Sequence, residues 1–112
     1  MSNPKILYTQ KNATADLEVR FEQDSNGDIV ISGQDLGDDL ELMFGDGITE
    51  YEWSITIAKK DFDLLLKALN GGKNDNVTIL FVKEFSNDKA MGIERFLKEN
   101  NIPYEFQNRM GD

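Results

Sequence analysis

The spacing of apolar residues changes once along this chain, and that change constrains the fold more than any other feature. Up to Ile57 the apolar positions recur at every second residue. Leu17, Val19 and Phe21 alternate with Glu18, Arg20 and Glu22, and Tyr51, Trp53, Ile55 and Ile57 alternate with Glu52, Ser54 and Thr56. A period of two marks strands with one buried face. Lys5–Thr9 reads as a first strand, and Ile29–Ile31 as the strand that returns after Ser25-Asn26-Gly27-Asp28, whose Asn-Gly pair suits a tight hairpin. Leu40, Leu42 and Phe44 alternate in the same way before a turn at Gly45-Asp46-Gly47.

After Ile57 the period lengthens. Phe62, Leu65, Leu66 and Leu69 fall at i, i+3, i+4 and i+7, which predicts a helix over 59–70 stopped by Asn70-Gly71-Gly72. Asn76–Phe85 admits two readings: its β-branched residues favour a strand, whereas Val77, Leu80, Phe81 and Phe85 line one helical face. Helix is the preferred reading. Ser86, Asn87 and Asp88 offer an N-cap for a further helix with Ile93, Phe96 and Leu97 on one face, Asn100-Asn101 as its stop and Pro103 beyond. A short strand over Tyr104–Gln107 closes the chain. Strands followed by helices predict an α+β domain over 1–112: an antiparallel meander of about five strands with two or three C-terminal helices packed on one face.

A chain of 112 residues builds one core, burying roughly 65% of its unfolded surface. It contains neither Cys nor His, which removes thiol nucleophiles, thiolate metal sites, the commonest general base and the commonest zinc ligand. Ser, Lys, Tyr and paired carboxylates remain, so the expectation is a binding protein rather than an enzyme, with no cofactor and no metal. The longest apolar run, Ile79–Val82, is four residues, and a membrane span needs about 20. No apolar leader opens the chain, so the expected location is the cytoplasm, away from membranes. The glycines at 33, 37, 45, 47, 71 and 72 are read as turn residues, and none forms a phosphate loop.

The net charge of −9 is concentrated in one segment. Between Arg20 and Lys59 there is no Lys or Arg, while Glu22, Asp24, Asp28, Asp35, Asp38, Asp39, Glu41, Asp46, Glu50 and Glu52 are all acidic. Such a field repels nucleic acid, whose recognition needs clustered bases, and attracts a basic protein. A solvated, solubilising face is the plainer reading of the same charges. The candidate contact residues are Asp35, Asp38, Asp39, Glu41, Asp46, Glu50 and Glu52. Within the segment, Asp24–Ile29 resembles part of a calcium loop, but Gly33 stands where the bidentate Glu belongs, so a hairpin turn is preferred. Asp35, Asp38, Asp39 and Glu41 also admit a metal or sugar-hydrolysis site, which would need a substrate cleft beside them. In Tyr51-Glu52-Trp53 the aromatic pair shares one strand face; Trp53 is assigned to the core, leaving Glu50 and Glu52 on the opposite face for contact.

The run Ile31-Ser32-Gly33-Gln34-Asp35-Leu36-Gly37, then Glu50-Tyr51-Glu52-Trp53, a leucine-rich helix and the tail Asn101-Ile102-Pro103-Tyr104-Glu105-Phe106 resemble the immunity proteins of bacterial contact-dependent growth inhibition and related polymorphic toxin systems. The resemblance spans residues 29–106 in outline, with Asn101 where that family often has Gly. It implies an inhibitor that binds and neutralises the C-terminal toxin domain of a cognate secreted protein, a basic nuclease being the expected target, without chemistry of its own. The competing expectation is a regulatory or housekeeping domain that pairs with itself through an exposed sheet edge. The oligomeric state is left open.

Overall fold

The structure, a computed structural model, describes residues 4–11, 15–37, 40, 45, 47 and 49–111. Five strands, β1 (Lys5–Lys11), β2 (Ala15–Gln23), β3 (Ile29–Gly37), β4 (Glu50–Ile57) and β5 (Glu105–Gly111), form one antiparallel sheet in the order β1-β2-β3-β4-β5. Three helices, α1 (Phe62–Ala68), α2 (Val77–Phe85) and α3 (Ile93–Glu99), lie between β4 and β5 in the chain; 3₁₀ turns at Lys59–Asp61 and Asp88–Gly92 lead into α1 and α3. The expected α+β meander is therefore observed.

Local chemistry explains the joints. At the β2–β3 hairpin the Asp24 carboxylate accepts from the backbone N–H groups of Asn26 (2.9 Å) and Asp28 (3.0 Å), and Gly27 takes φ 85°. The Asp24 N–H also bonds the Asp28 carbonyl at 2.9 Å, which leaves a three-residue loop, Ser25-Asn26-Gly27, whose left-handed position needs glycine. The Asp28 carboxylate accepts from the Lys59 N–H at 2.8 Å, so both acids that resembled calcium ligands serve backbone donors. Asn70 and Asn101, at φ 59° and 56°, end α1 and α3, and the next N–H in each case returns to a carbonyl five residues back, Gly71 to Leu66 and Ile102 to Leu97. Each is a left-handed helix stop that satisfies otherwise orphaned carbonyls. The ambiguous segment is a helix because Asn76 caps it, accepting from Thr78 and Ile79 N–H, and because Phe81 and Phe85 share its buried stripe.

The core forms between the helices and one sheet face. Val19, Phe21, Ile29, Ile31, Ile55 and Ile57 meet Leu65, Phe81, Phe85, Ile93 and Leu97. Rings of Phe21, Phe81, Phe85 and Phe96 follow one another at centroid distances of 5.8, 4.8 and 5.3 Å, tying β2 through α2 to α3. In β1 a bulge between Ile6 and Tyr8 lets Leu7 be buried while Tyr8 also packs on the core.

Three expectations change. β3 extends through Gly37 and pairs directly with β4, so the fifth strand of the meander is β5, longer than the predicted Tyr104–Gln107. Of the predicted strand at 40–44 only Leu40 is described, and it has helical backbone and is buried; Leu42 and Phe44 lie outside the described residues. Gly33 and Gly37 belong to β3 rather than to turns. Gly33 is glycine because the Trp53 indole, directly across the ladder, fills the space its side chain would take.

Candidate functional site

Strand alternation decides which acidic residues stand together. In β3 the odd positions Ile29, Ile31 and Gly33 face the helices, and Asp35 continues that series; in β4 the odd positions Tyr51, Trp53, Ile55 and Ile57 do the same. Glu50 and Glu52 therefore stand on the opposite, helix-free face, as expected, whereas Asp35 lies across from Tyr51 on the helix side. Burial raises the Asp35 carboxyl above its ordinary value. Asp38, Asp39, Glu41 and Asp46 lie outside the described residues. Trp53 is half-buried and packs against the core.

The helix-free face carries two polar rows. Glu18, Gln34, Glu52 and Arg109 succeed one another across β2 to β5, and Arg20, Ser32, Ser54 and Gln107 form the next row. Short serines in the middle of the second row, with long side chains at both ends, leave an open trough of about 440 Å³. Its floor is the backbone around Gly33 and Trp53. Arg20 pairs with Glu18 at 2.7 Å and Arg109 with Glu52 at 3.4 Å, so the trough presents donors and acceptors of both charges.

Gln34 ties the acidic pair together. Its side-chain amide donates to Glu50 Oε1 at 3.3 Å and Glu52 Oε1 at 3.4 Å. A hydrogen bond from Glu52 holds the Glu50 carboxyl below its ordinary value, helped by Gln34 and by the charge of Arg109. The same bond to Glu50, with desolvation added, raises Glu52 against the opposing pull of Arg109. The two titrate as a pair, and Glu52 takes the first proton. Gln34 carries no charge and lies between Gly33 and Gly37, which read as turn residues, so the sequence alone does not single it out. The signal was available: continuing the in-out phase of Ile29 and Ile31 through Ser32-Gly33 places Gln34 beside the glutamates.

Over β2–β5 this face bears Asp16, Glu18, Glu22, Glu50, Glu52 and Glu105 against Arg20 and Arg109, an acidic excess on an uncovered surface. Among the described residues no three carboxylates gather as a metal site would require. None of the described helices is long and apolar enough to cross a membrane. Compared with known proteins, the chain matches no family model, no curated protein and no solved structure.

Proposed function

We propose that this protein is an immunity protein, which binds and neutralises the toxic C-terminal domain of a contact-dependent growth inhibition protein inside the producing cell, the target being a basic nuclease domain. The observation that carries the reading is the stretch of ten carboxylates between Arg20 and Lys59 with no basic residue among them, three of which, Glu22, Glu50 and Glu52, stand on the helix-free sheet face. A cationic surface that ordinarily holds phosphates can be covered by such a face, and opposite charge speeds its capture by roughly 10 to 1,000-fold. Slow release, not catalysis, then sustains protection. The trough offers places for partner side chains: Glu18 and Glu52 for Lys or Arg, Arg20 and Arg109 for acids, and serines for hydrogen bonds. Asp38, Asp39, Glu41 and Asp46 belong to the same acidic segment and extend the proposed contact. Asp35, on the other face, would join it only where the partner wraps the sheet end.

The test is to ask whether the reading frame immediately upstream encodes the end of a large secreted protein, and then to measure rescue of cells expressing that terminal domain. The wild-type chain should protect; Glu50→Lys with Glu52→Lys should slow association by about tenfold or more and weaken protection, with the fold intact by circular dichroism. Unchanged association and protection would remove this face from the interface.

A further inference from the structure

The two edges of the sheet are built differently. β1 begins and ends in lysine, Lys5 and Lys11, and carries the bulge between Ile6 and Tyr8, devices that keep an edge from pairing with another strand. β5 has none of them. It contains no proline and no lysine, holds one Glu and one Arg, and pairs with β4 in unbroken register from Thr56↔Glu105 to Glu50↔Gly111. Residues 105–110 are all exposed, and Phe106 and Met110 are 41% and 50% accessible on the helix-side face.

The ladder fixes which backbone groups of β5 are free. The Gly37 N–H bonds the Thr49 carbonyl at 2.9 Å, so odd-numbered residues of β3 and β4 bond each other and even-numbered residues of β4 turn to β5. By the β4–β5 register these meet the odd residues of β5. Phe106, Asn108 and Met110 therefore direct their N–H and C=O groups outward, along the free edge.

We propose that β5 pairs antiparallel with β5 of a second copy about a two-fold axis at Asn108, joining two sheets into one. In this register Phe106 faces Met110 of the partner copy and Asn108 faces its own equivalent, so every outward backbone group of these residues is used. No other in-phase register of Glu105–Gly111 achieves that. The side chains are self-complementary in the same register. Phe106 and Met110 cover each other on the helix side at both ends of the contact, and on the opposite face Glu105 lies diagonal to the partner copy's Arg109, within reach of a long side chain. The backbone pairing runs along the β5 edge, whereas the proposed toxin contact centres on Glu50 and Glu52 of β4; Glu105 and Arg109 are the side chains by which the dimer also touches the helix-free face.

Sedimentation of the full chain from low micromolar to millimolar concentration should show conversion to twice the monomer mass. Each copy carries a charge of −9, so added salt should tighten the dimer by screening repulsion between the bodies, the reverse of its effect on capture of a basic partner. Asn108→Pro removes an N–H that makes no bond within the monomer, and should abolish dimerisation while leaving the circular dichroism spectrum intact. Because the chain has no cysteine, Asn108→Cys supplies a second readout: a hydrogen-bonded pair across the axis has Cα atoms about 5.5 Å apart, within disulfide range. It should crosslink under mild oxidation far faster than Thr9→Cys on β1. A monomer at all concentrations, a dimer unaffected in folded Asn108→Pro, or a dimer in which Asn108→Cys fails to crosslink would overturn the proposal.

Discussion

The two faces of the β2–β4 sheet are made by the same strands, residue by residue in alternation, yet they obey different physical rules. The helix-side face is continuous hydrocarbon, Val19, Phe21, Ile31 and Ile55 closing on Phe81 and Leu65. The other face is uncovered and, apart from Val30 and Leu36, polar, and its polar neighbours interact through hydrogen bonds and charge. Removal of packed carbon from the first leaves a cavity that close-packed neighbours cannot fill. Removal of a polar tip from the second is repaired by water. Stability thus resides on one face, while the other is free to carry charge.

The largest test of this contrast is Phe81→Ala. Phe81 is fully buried and in ring contact with both Phe21 and Phe85, so its truncation should cost about 3–5 kcal/mol, read from the shift in denaturation midpoint. Ser54→Ala, on the opposite face, should stay within about 0.5 kcal/mol. Comparable losses would mean that the outer face is also packed, against something that covers it.

Gly33→Ala comes next, because the new methyl group would meet the Trp53 indole. Overpacking of this kind costs about 1–3 kcal/mol. In a Trp53→Ala background most of the cost should vanish, and the coupling in a double-mutant cycle measures the contact itself. Additive effects would show that the glycine serves its backbone and not the indole.

Gly33 also marks where the sequence was legible and where it was not. Elements with a strong period were readable: β2, β4, the stripe of α1 and the asparagine stops at 70 and 101 follow directly from residue spacing. The sequence pattern ends β3 at Ile31 because Ser32-Gly33 interrupts the alternation with a residue that ordinarily signals a turn. The reason for that glycine lies on another strand, 20 positions away in the chain, and no local pattern announces a cross-strand indole. The same truncation hid the site. With β3 ending at Ile31, Gln34 and Asp35 lie beyond the strand and alternation assigns them no face; Glu50 and Glu52 sit inside a strongly alternating strand, whose phase gives their face directly. The legible part of β5 ends at Gln107 because Asn108-Arg109 has little strand preference and is held in the sheet by the β4 ladder.

Charge reversal sharpens the contrast further. Glu50→Lys with Glu52→Lys should leave stability within about 0.5 kcal/mol while slowing capture of the proposed toxin domain. The same two-site reversal on the helices, Asp63→Lys with Glu84→Lys, changes net charge equally and so controls for the overall field. Stopped-flow association at several salt concentrations separates the two: only the sheet-face variant should lose more than the global charge predicts. Equal slowing would reduce the acidic face to a contribution to net charge.

The smallest effect concerns Asp35, the acidic residue that shares the helix-side face. Burial raises its carboxyl above the ordinary value of 3.8, so the folded protein holds that proton more tightly than the unfolded chain does. Its favourable contribution is complete below 3.8 and is lost as pH rises through the folded value; at neutral pH the charged form is slightly destabilising. Asp35→Asn should therefore raise Tm modestly at pH 7, and the difference from wild type should shrink as pH is lowered into the carboxylate range. Thermal scans of both proteins across acidic to neutral pH measure this directly. A difference that is constant with pH would mean that the Leu17–Asp35–Tyr51 row is as wet as the outer face, and the distinction between the two faces would then end at Gly33 rather than running the length of β3.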